Sequence, residues 1–402
     1  MEITLHSITS ARDRIHSAVY HTPCPYALAL SRLCGAEIYC KLEHLQATGS
    51  FKERGAANKL LQLPEDQKKR GVIAASAGNH AQALAYHGGR LNIPVTVVMP
   101  VWAPLVKVSN CRALGARVIL CGEDFDQAVV KAEEIAQEQH LSLIKGFDDP
   151  EIISGQGTLG LEILDDIPDV DAIIVPVGGG GLIAGIAVAV KAIKPTVQII
   201  GVEPLNAPTL HESLAQGKPT RVAVLPTLAD GLAVGRCGDL CFELIRSRLD
   251  DLVLVNEAEI ARAILRLLEL EKMVIEGAGA VSLAAAMLHG TRWKGKKIVL
   301  CLTGGNIDVT TISRIIDRGL AADGRLCRIT AYVSDRPGSL ARLTSILAET
   351  GASVKEVGHD RHFAPADIAL VGITVVLETR DFEHIEEIKR TLKAAEIQFV
   401  VK

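Results

Sequence analysis

Short β-branched runs separated by helix-length amphipathic stretches recur through most of this chain, and no other feature limits its fold so strongly. Val72-Ile73-Ala74-Ala75, Val95-Thr96-Val97-Val98-Met99 and Arg117-Val118-Ile119-Leu120 read as strands, with helical patterns at Asn79 to Asn92 and Ala103 to Leu114. The rhythm resumes at Ala172 to Val177, Val197 to Val202 and Lys297 to Thr303. Strands apolar on both faces and spaced by helices predict parallel sheets covered on each side, because a parallel crossover needs a helix's length of chain. Two clusters, about 50–145 and 150–315, predict two open α/β lobes with a cleft between them. The region expected to hold these lobes is 1–320, with about 50–145 as the small lobe and the remainder as the large lobe.

The pattern changes after a polar, glycine-containing stretch, Arg318 to Arg328. Beyond it the sequence reads as strand (Ile329 to Val333), helix (Ser339 to Glu349), strand (Ser353 to Gly358), strand (Ile368 to Leu377), helix (Phe382 to Ala395) and strand (Gln398 to Val401). That βαββαβ order is the ferredoxin-like motif. It predicts a separate domain at 328–402, attached rather than interwoven.

Composition removes several classes of function. Aromatic residues make up 3% and no basic run interleaves with them, so nucleic acid is not the expected ligand. A net charge of -4 bears on solubility and not on partners. The nine cysteines are odd in number and lack C-x-x-C spacing, and no histidine at zinc-ligand spacing accompanies Cys237 and Cys241. No metal site is expected, and reduced thiols in a cytoplasmic protein are the simpler reading. Met1-Glu2-Ile3-Thr4 opens no basic-then-apolar leader, and the longest apolar run, Leu182 to Val190, is too short to span a bilayer.

Three segments carry chemistry. In Thr48-Gly49-Ser50-Phe51-Lys52-Glu53-Arg54-Gly55, a lysine among small residues at a helix start can turn its amine toward a pocket, where desolvation makes it a better nucleophile. The alternative is an ordinary surface lysine on a loop. In Val175-Pro176-Val177-Gly178-Gly179-Gly180-Gly181-Leu182, four glycines between a strand and a helix let backbone amides close around a phosphate. No lysine followed by Ser or Thr makes it a Walker site, the spacing departs from G-x-G-x-x-G, and a tight turn is the other reading. In Ala75-Ser76-Ala77-Gly78-Asn79-His80, the amides and the Ser76 hydroxyl can hold a carboxylate and Asn79 can meet a phenolic oxygen; alone, the segment is also a plain N-cap.

Together these segments resemble the β-family of pyridoxal-phosphate (PLP) enzymes, the tryptophan-synthase-like fold type II, and within it the threonine/serine dehydratases. The resemblance covers Thr9 to Arg318 and includes Thr227-Leu228-Ala229-Asp230-Gly231-Leu232-Ala233-Val234 and Leu302-Thr303-Gly304-Gly305-Asn306. It implies that Lys52 condenses with the cofactor's aldehyde and later moves the Cα proton, that Phe51 packs on the ring, and that Asn79 meets the ring's 3-hydroxyl. It further implies Thr303 at the pyridine nitrogen, Gly178, Gly179, Gly180, Gly181 and Leu182 at the phosphate, and Ser76, Ala77, Gly78, Asn79 and His80 at the substrate carboxylate. Ser76 stands beside Lys52 as a catalytic candidate. Glu276 is either a cleft residue or a helix-capping acid. A neutral Thr303 at the ring nitrogen weakens the electron sink, which favours β-elimination over transamination.

Two departures narrow the choice. Serine racemases have a second serine where this chain has Ala77, and they bind a divalent cation through two carboxylates where this chain has Glu203 but then Thr209. A magnesium site is therefore not expected, although Glu203 and backbone carbonyls remain candidates for a monovalent ion. The reaction implied is elimination on L-threonine, with L-serine as a second substrate, giving a 2-oxo acid and ammonia. Serine racemisation or another β-replacement on the same fold is the alternative. A non-catalytic amino-acid sensor and a dinucleotide oxidoreductase are set aside, the first by the intact lysine and glycine motifs, the second because no Rossmann unit opens the chain. The tail resembles an ACT regulatory domain, with Ser334-Asp335-Arg336-Pro337-Gly338-Ser339-Leu340 as its strand-to-helix loop. That resemblance implies a homodimer or tetramer with an amino-acid effector, isoleucine or valine being sensible for feedback; use in dimerisation alone is the other reading.

Overall fold

The computed structural model describes residues 2–103, 105–360 and 369–401, and its packing divides the chain into two units, Met1–Asp308 and Val309–Lys402. In the first unit the strands are β1 (Glu37–Lys41), β2 (Val72–Ala75), β3 (Val95–Met99), β4 (Arg117–Leu120), β5 (Ser142–Leu143), β6 (Ala172–Pro176), β7 (Gln198–Pro204), β8 (Asp251–Val255) and β9 (Lys297–Cys301). They form two sheets, β4-β3-β2-β5 in the small lobe and β1-β9-β6-β7-β8 in the large lobe. Every strand pairing in both is parallel. β3 and β6 are buried at each residue, as strands covered on both faces must be.

The strands read from the sequence are present, and three others are not read from it: the two-residue β5, and β1 and β8, which are the edges of the large sheet. β1 begins and ends on charged residues, with only three apolar residues between them, whereas β8 carries an apolar run, Leu252 to Val255, that is not among the strands read from sequence. β1 has a topological consequence. It pairs with β9, so the chain starts in the large lobe, crosses to build the small lobe, and returns at β6. The outgoing crossing carries Lys52, and the returning one carries Gly146 and Phe147.

Close helix packing holds those crossings in place. The helix Pro150–Asp166 starts with Asp149 accepting from the Glu151 and Ile152 amides and with proline in its first turn. It is buried over nearly its whole length and lies against the helices Lys52–Leu61 and Gly181–Ile193. A side chain at Gly155 would put its Cβ 2.6 Å from the Arg54 carbonyl oxygen, and one at Gly185 would lie 2.5 Å from that of Ile153. Backbones this close tolerate only glycine at the crossing points.

Beside the first crossing lies a buried charge cluster. Arg54 is fully buried and donates to both oxygens of Glu43 (2.7 and 2.8 Å) and both of Glu162 (2.6 and 2.8 Å). Lys41, also fully buried, meets Glu162 at 2.8 Å and Asp166 at 2.9 Å. The paired carboxylates outweigh the burial penalty and hold the guanidinium firmly charged.

In the second unit, a helix at Val309–Ala322 precedes β10 (Leu326–Ser334), a helix at Ser339–Glu349, β11 (Ser353–Asp360), β12 (Leu370–Glu378), a helix at Phe382–Ala394 and β13 (Gln398–Val401). The sheet is antiparallel in the order β11-β12-β10-β13. Ile329, Leu343, Leu347, Ile373, Val375, Ile388 and Leu392 fill the space between this sheet and its helices. The stretch Arg318 to Arg328, read from sequence as a change of pattern, is used differently: the helix runs on to Ala322 and β10 begins at Leu326. Ile312, Ile315, Ile316 and Gly319 share one helical face, so Arg318 sits within a helix, and only Asp323, Gly324 and Arg325 form the turn that leads to β10. Position 104, within a helix expected from sequence, and Ile368, the expected start of a strand, lie outside the described residues.

Arg54→Ala would leave Glu43 buried without its cation and Glu162 with Lys41 alone. The expected cost is about 3–5 kcal/mol, measured as a lower midpoint in urea unfolding. A loss of less than about 1 kcal/mol, the range of an exposed pair, would contradict a dry cluster.

Candidate active site

A cavity of about 450 Å³ lies between the two lobes of the first unit, and each site residue expected from the sequence lines it. The reason is topological. Ser76–His80 follows β2, the glycine run follows β6 and Thr303 follows β9, so all three segments leave the C-terminal ends of parallel strands, where open α/β sheets bind ligands.

Lys52 is the first residue of its helix. Its Nζ donates to the Gly146 carbonyl oxygen at 2.9 Å and stands 5.1 Å from the Phe51 ring centroid. Removal of the amine from bulk water lowers its pKa from 10.5 to about 8, against Cys241 and Glu276, which raise it. An ordinary surface lysine would show no such effect.

The glycine run turns from β6 into the helix Gly181–Ile193. Gly180 occupies the N-cap position with φ of 96°, a left-handed conformation, and no side chain caps the helix. Its first amides are therefore available to an anion at the positive end of a buried helix. A Cβ at Gly179 would collide with the Phe147 ring, and one at Gly180 would sit 2.9 Å from the Cys241 Cβ. The run is packed to the limit of glycine, which a mere surface turn does not require.

In the Ser76 loop, the Ser76 Oγ accepts from the Gly78 amide at 3.2 Å. Gly78 stands at the N-cap of the helix Asn79–Leu91 with no side-chain cap, so this loop too ends in unpaired amides. His80 is buried and points its Nε2 at the Ile144 carbonyl oxygen, 3.3 Å away. Burial, with help from Lys52, lowers its pKa to about 3. The ring is therefore neutral, and Nε2 carries the proton it donates to Ile144. The backbone of His80, and not its imidazole, is what the loop offers a carboxylate.

Glu276 resolves in favour of the cleft. It occupies the N-cap position of the helix Gly277–Leu288 but makes no side-chain cap hydrogen bond. Its Oε1 accepts from Asn79 Nδ2 at 2.7 Å inside the cavity, and burial together with Asp230 raises its pKa to about 7. Glu203 lies elsewhere. Its two oxygens accept from the Leu210 and His211 amides at 2.6 and 2.9 Å, so it caps the helix Thr209–Gln216. Burial raises its pKa to about 8.

Several lining residues carried no readable signal. Gly146 and Phe147 follow a strand of only two residues, β5, too short to announce itself. Lys107 reaches from the small lobe to form an ion pair with Asp230 of the large lobe, a pairing that spacing along the chain cannot reveal. Among the described residues no group of three or more histidine, cysteine, aspartate or glutamate side chains is placed to hold a metal, and no helix is long and apolar enough to cross a membrane.

A desolvated lysine amine in a cleft between parallel-sheet lobes, with an uncapped glycine turn beside it, defines a site for a carbonyl cofactor that bears a phosphate. Residues 15–304 match the family of pyridoxal-phosphate dependent enzymes, and the chain belongs to that family. It is 49% identical to the L-threonine ammonia-lyase of Thermotoga maritima over 99% of this chain and 100% of that protein. It is 43% identical to the catabolic L-threonine dehydratase of Escherichia coli over 78% of this chain and 96% of that protein. Among solved structures, processed threonine deaminase isoform 2 of Solanum lycopersicum superposes with a TM-score of 0.75 at 38% identity, covering 78% of this chain and 86% of that one. Maize serine racemase does so with a TM-score of 0.74 at 34% identity, covering 80% and 99%.

Pyridoxal phosphate is thus the cofactor, and the residues present fit it: an amine for its aldehyde, and free amides with no room for side chains at its phosphate. The neutral amine is the form that attacks the aldehyde, and its fraction rises with pH through the Lys52 pKa. Protein stripped of cofactor should therefore take up PLP at a rate that climbs with pH and is half-maximal near pH 8, followed by absorbance. A lysine with its ordinary pKa would leave the rate still climbing at about pH 10.

Proposed function

We propose that this chain is a threonine ammonia-lyase. It converts L-threonine to 2-oxobutanoate and ammonia and, as a second substrate, L-serine to pyruvate and ammonia. The reading is carried by the Lys52 amine, which shares one cavity with the glycine run and the Ser76 loop. Near-full-length similarity to a protein named L-threonine ammonia-lyase supports it. The fold class this implies is fold type II of the PLP enzymes.

The residues divide the work. The Ser76 hydroxyl and the amides of Ala77, Gly78, Asn79 and His80 bind the substrate carboxylate, at the N terminus of a helix that favours negative charge. The first amides of the Gly181–Ile193 helix, with Gly178, Gly179, Gly180 and Leu182 around them, hold the cofactor's phosphate. Bound PLP supplies the electron sink for the Cα–H bond that breaks. Lys52 takes that proton, for which an amine of lowered pKa suits neutral pH. The β-hydroxyl leaves as water, and the released amino-acid fragment takes up water again to yield the oxo acid and ammonia, so atoms balance. Phe51 packs on the ring, Asn79 faces its hydroxyl and Thr303 its nitrogen, where a neutral hydroxyl favours prompt elimination. Ala77 has no proton to give, which argues against racemisation.

We read the second unit, with 328–402 as its core, as an ACT-like regulatory domain. A cavity of about 380 Å³ lies in this unit, bordered by Ser334–Leu340 with His359, Val371 and Ile373. Arg336, Asp335 and the uncapped start of the Ser339–Glu349 helix offer both charges an amino acid needs, and Val371 and Ile373 suit a branched side chain. Isoleucine or valine, as feedback effectors on isoleucine biosynthesis, would bind there, in a homodimer or tetramer working in the cytoplasm.

Product analysis, cofactor fixation, a Lys52 variant and an effector assay test these readings. Purified protein should release 2-oxobutanoate from L-threonine, and borohydride should fix a pyridoxyl group on Lys52; a product that keeps its nitrogen would move the assignment to racemase or synthase. Lys52→Ala should lower the rate at least about 10⁴-fold, as loss of a covalent catalyst does. For the second unit, isoleucine or valine should change the rate of the full chain, and Gly338→Asp should abolish that response while basal activity stays. An unaltered response in the variant would place the effector elsewhere.

A further inference from the structure

We propose that Asn306 and Glu276 are positioning residues that fix which way round the Asn79 amide is held, so that an N–H and not the carbonyl oxygen faces the cofactor ring. The proposal rests on the reading of Asn79 as the ring's partner and concerns what orients it.

The two flips of an asparagine amide have the same shape, and only their partners tell them apart. Here the direction can be followed from a backbone atom. The Thr48 carbonyl oxygen can only accept, and Asn306 Nδ2 stands 2.8 Å from it. That contact turns the Asn306 NH2 inward, and the same nitrogen lies 2.8 Å from Asn79 Oδ1. Both hydrogens of Asn306 Nδ2 are then used. Asn79 is left with its oxygen toward Asn306 and its nitrogen toward Glu276 Oε1, 2.7 Å away, an atom that accepts. One N–H of Asn79 remains, on a residue that lines the cavity. A ligand oxygen at that position meets a donor, so the ring hydroxyl is bound as an acceptor.

Only glycine at two neighbouring positions leaves room for the amides in this arrangement. A Cβ at Gly49, where φ is 76°, would lie 2.8 Å from Asn306 Oδ1, and one at Gly304 would lie 3.2 Å from Asn79 Nδ2. Backbone hydrogen bonds tie the same segments together: the Gly305 amide to Gly49 oxygen at 3.0 Å, and the Glu276 amide to Gly304 oxygen at 3.0 Å. Asn306 thereby joins the Lys52 segment to the Ser76 loop, two stretches that leave different sheets.

The test is a double-mutant cycle on PLP binding, with the absorption band of the bound cofactor as a second readout. Wild type, Asn79→Ala, Asn306→Ala and the double variant are stripped of cofactor and titrated with PLP. Each single change should weaken binding about tenfold, the worth of one such hydrogen bond, and shift the band. The double variant should bind little more weakly than Asn79→Ala alone, because Asn306 reaches the ring through Asn79. Glu276→Gln, which keeps an acceptor oxygen, should retain the affinity and the band, whereas Glu276→Ala should lose both. Thermal melting of the stripped variants checks folding, and Asn306→Asp, of the same size but unable to donate, replaces Asn306→Ala in the cycle if the latter does not fold. Additive losses near a hundredfold in the double variant, or an unchanged band in Asn306→Ala, would overturn the proposal. Wild type that takes up no PLP would remove the functional reading itself, and this one with it.

Discussion

Lys52 sits where it does because the helix behind it is clamped. Arg54, two residues further along that helix, is enclosed by Glu43 from the preceding short turn and Glu162 from the helix Pro150–Asp166. A buried guanidinium with four charge-assisted bonds has a single comfortable geometry. At the next residue, Gly55 meets Gly155 and brings the two helix backbones into direct contact. With the helix fixed at its first turn, the Lys52 side chain has little choice but to enter the space between the lobes. The lowered pKa of its amine follows from that burial.

The cavity is then completed by topology. The small lobe is built into the chain between β1 and β6, so two crossings pass the same cleft, one with Lys52 and the other with Gly146 and Phe147. Parallel strands present their C-terminal ends on one side, and the turns after β2, β6 and β9 all open there. Two of those turns lead into helices without side-chain caps. Unpaired amides at two helix starts, in one cavity with the Lys52 amine, make a site suited to two anions, such as a phosphate and a carboxylate. His80, neutral, adds no charge to the site, and Glu276 adds a carboxyl close to its titration point. Lys107 and Asp230 pair across the cleft.

The second unit uses a different solution to the same packing problem. Its antiparallel sheet buries one face under helices, and β11, at the edge, leaves most of its residues exposed. β10, paired on both sides, supplies Ile329 and Ala331 to the core, then ends in the Ser334–Leu340 loop that borders the cavity of this unit.

The sequence by itself determined the parallel character of the first unit, the βαββαβ order of the second and the three chemical segments. Each of these is written in local patterns: β-branched runs in β2, β3 and β6, glycines after a strand, and small polar residues before a helix. Edge strand β1 is hidden by its few apolar residues and β5 by its length of two, and the helix Val309–Ala322 carries its apolar residues on one face among polar ones. Only the tertiary structure decided that Lys52 is desolvated, that His80 turns its ring to Ile144, and that Glu276 faces Asn79 and not its own helix. Burial, the orientation of an amide and the pairing of charges between Lys107 and Asp230 depend on residues far apart in the chain. No local pattern encodes such distances, since they are set when helices and sheets close on one another.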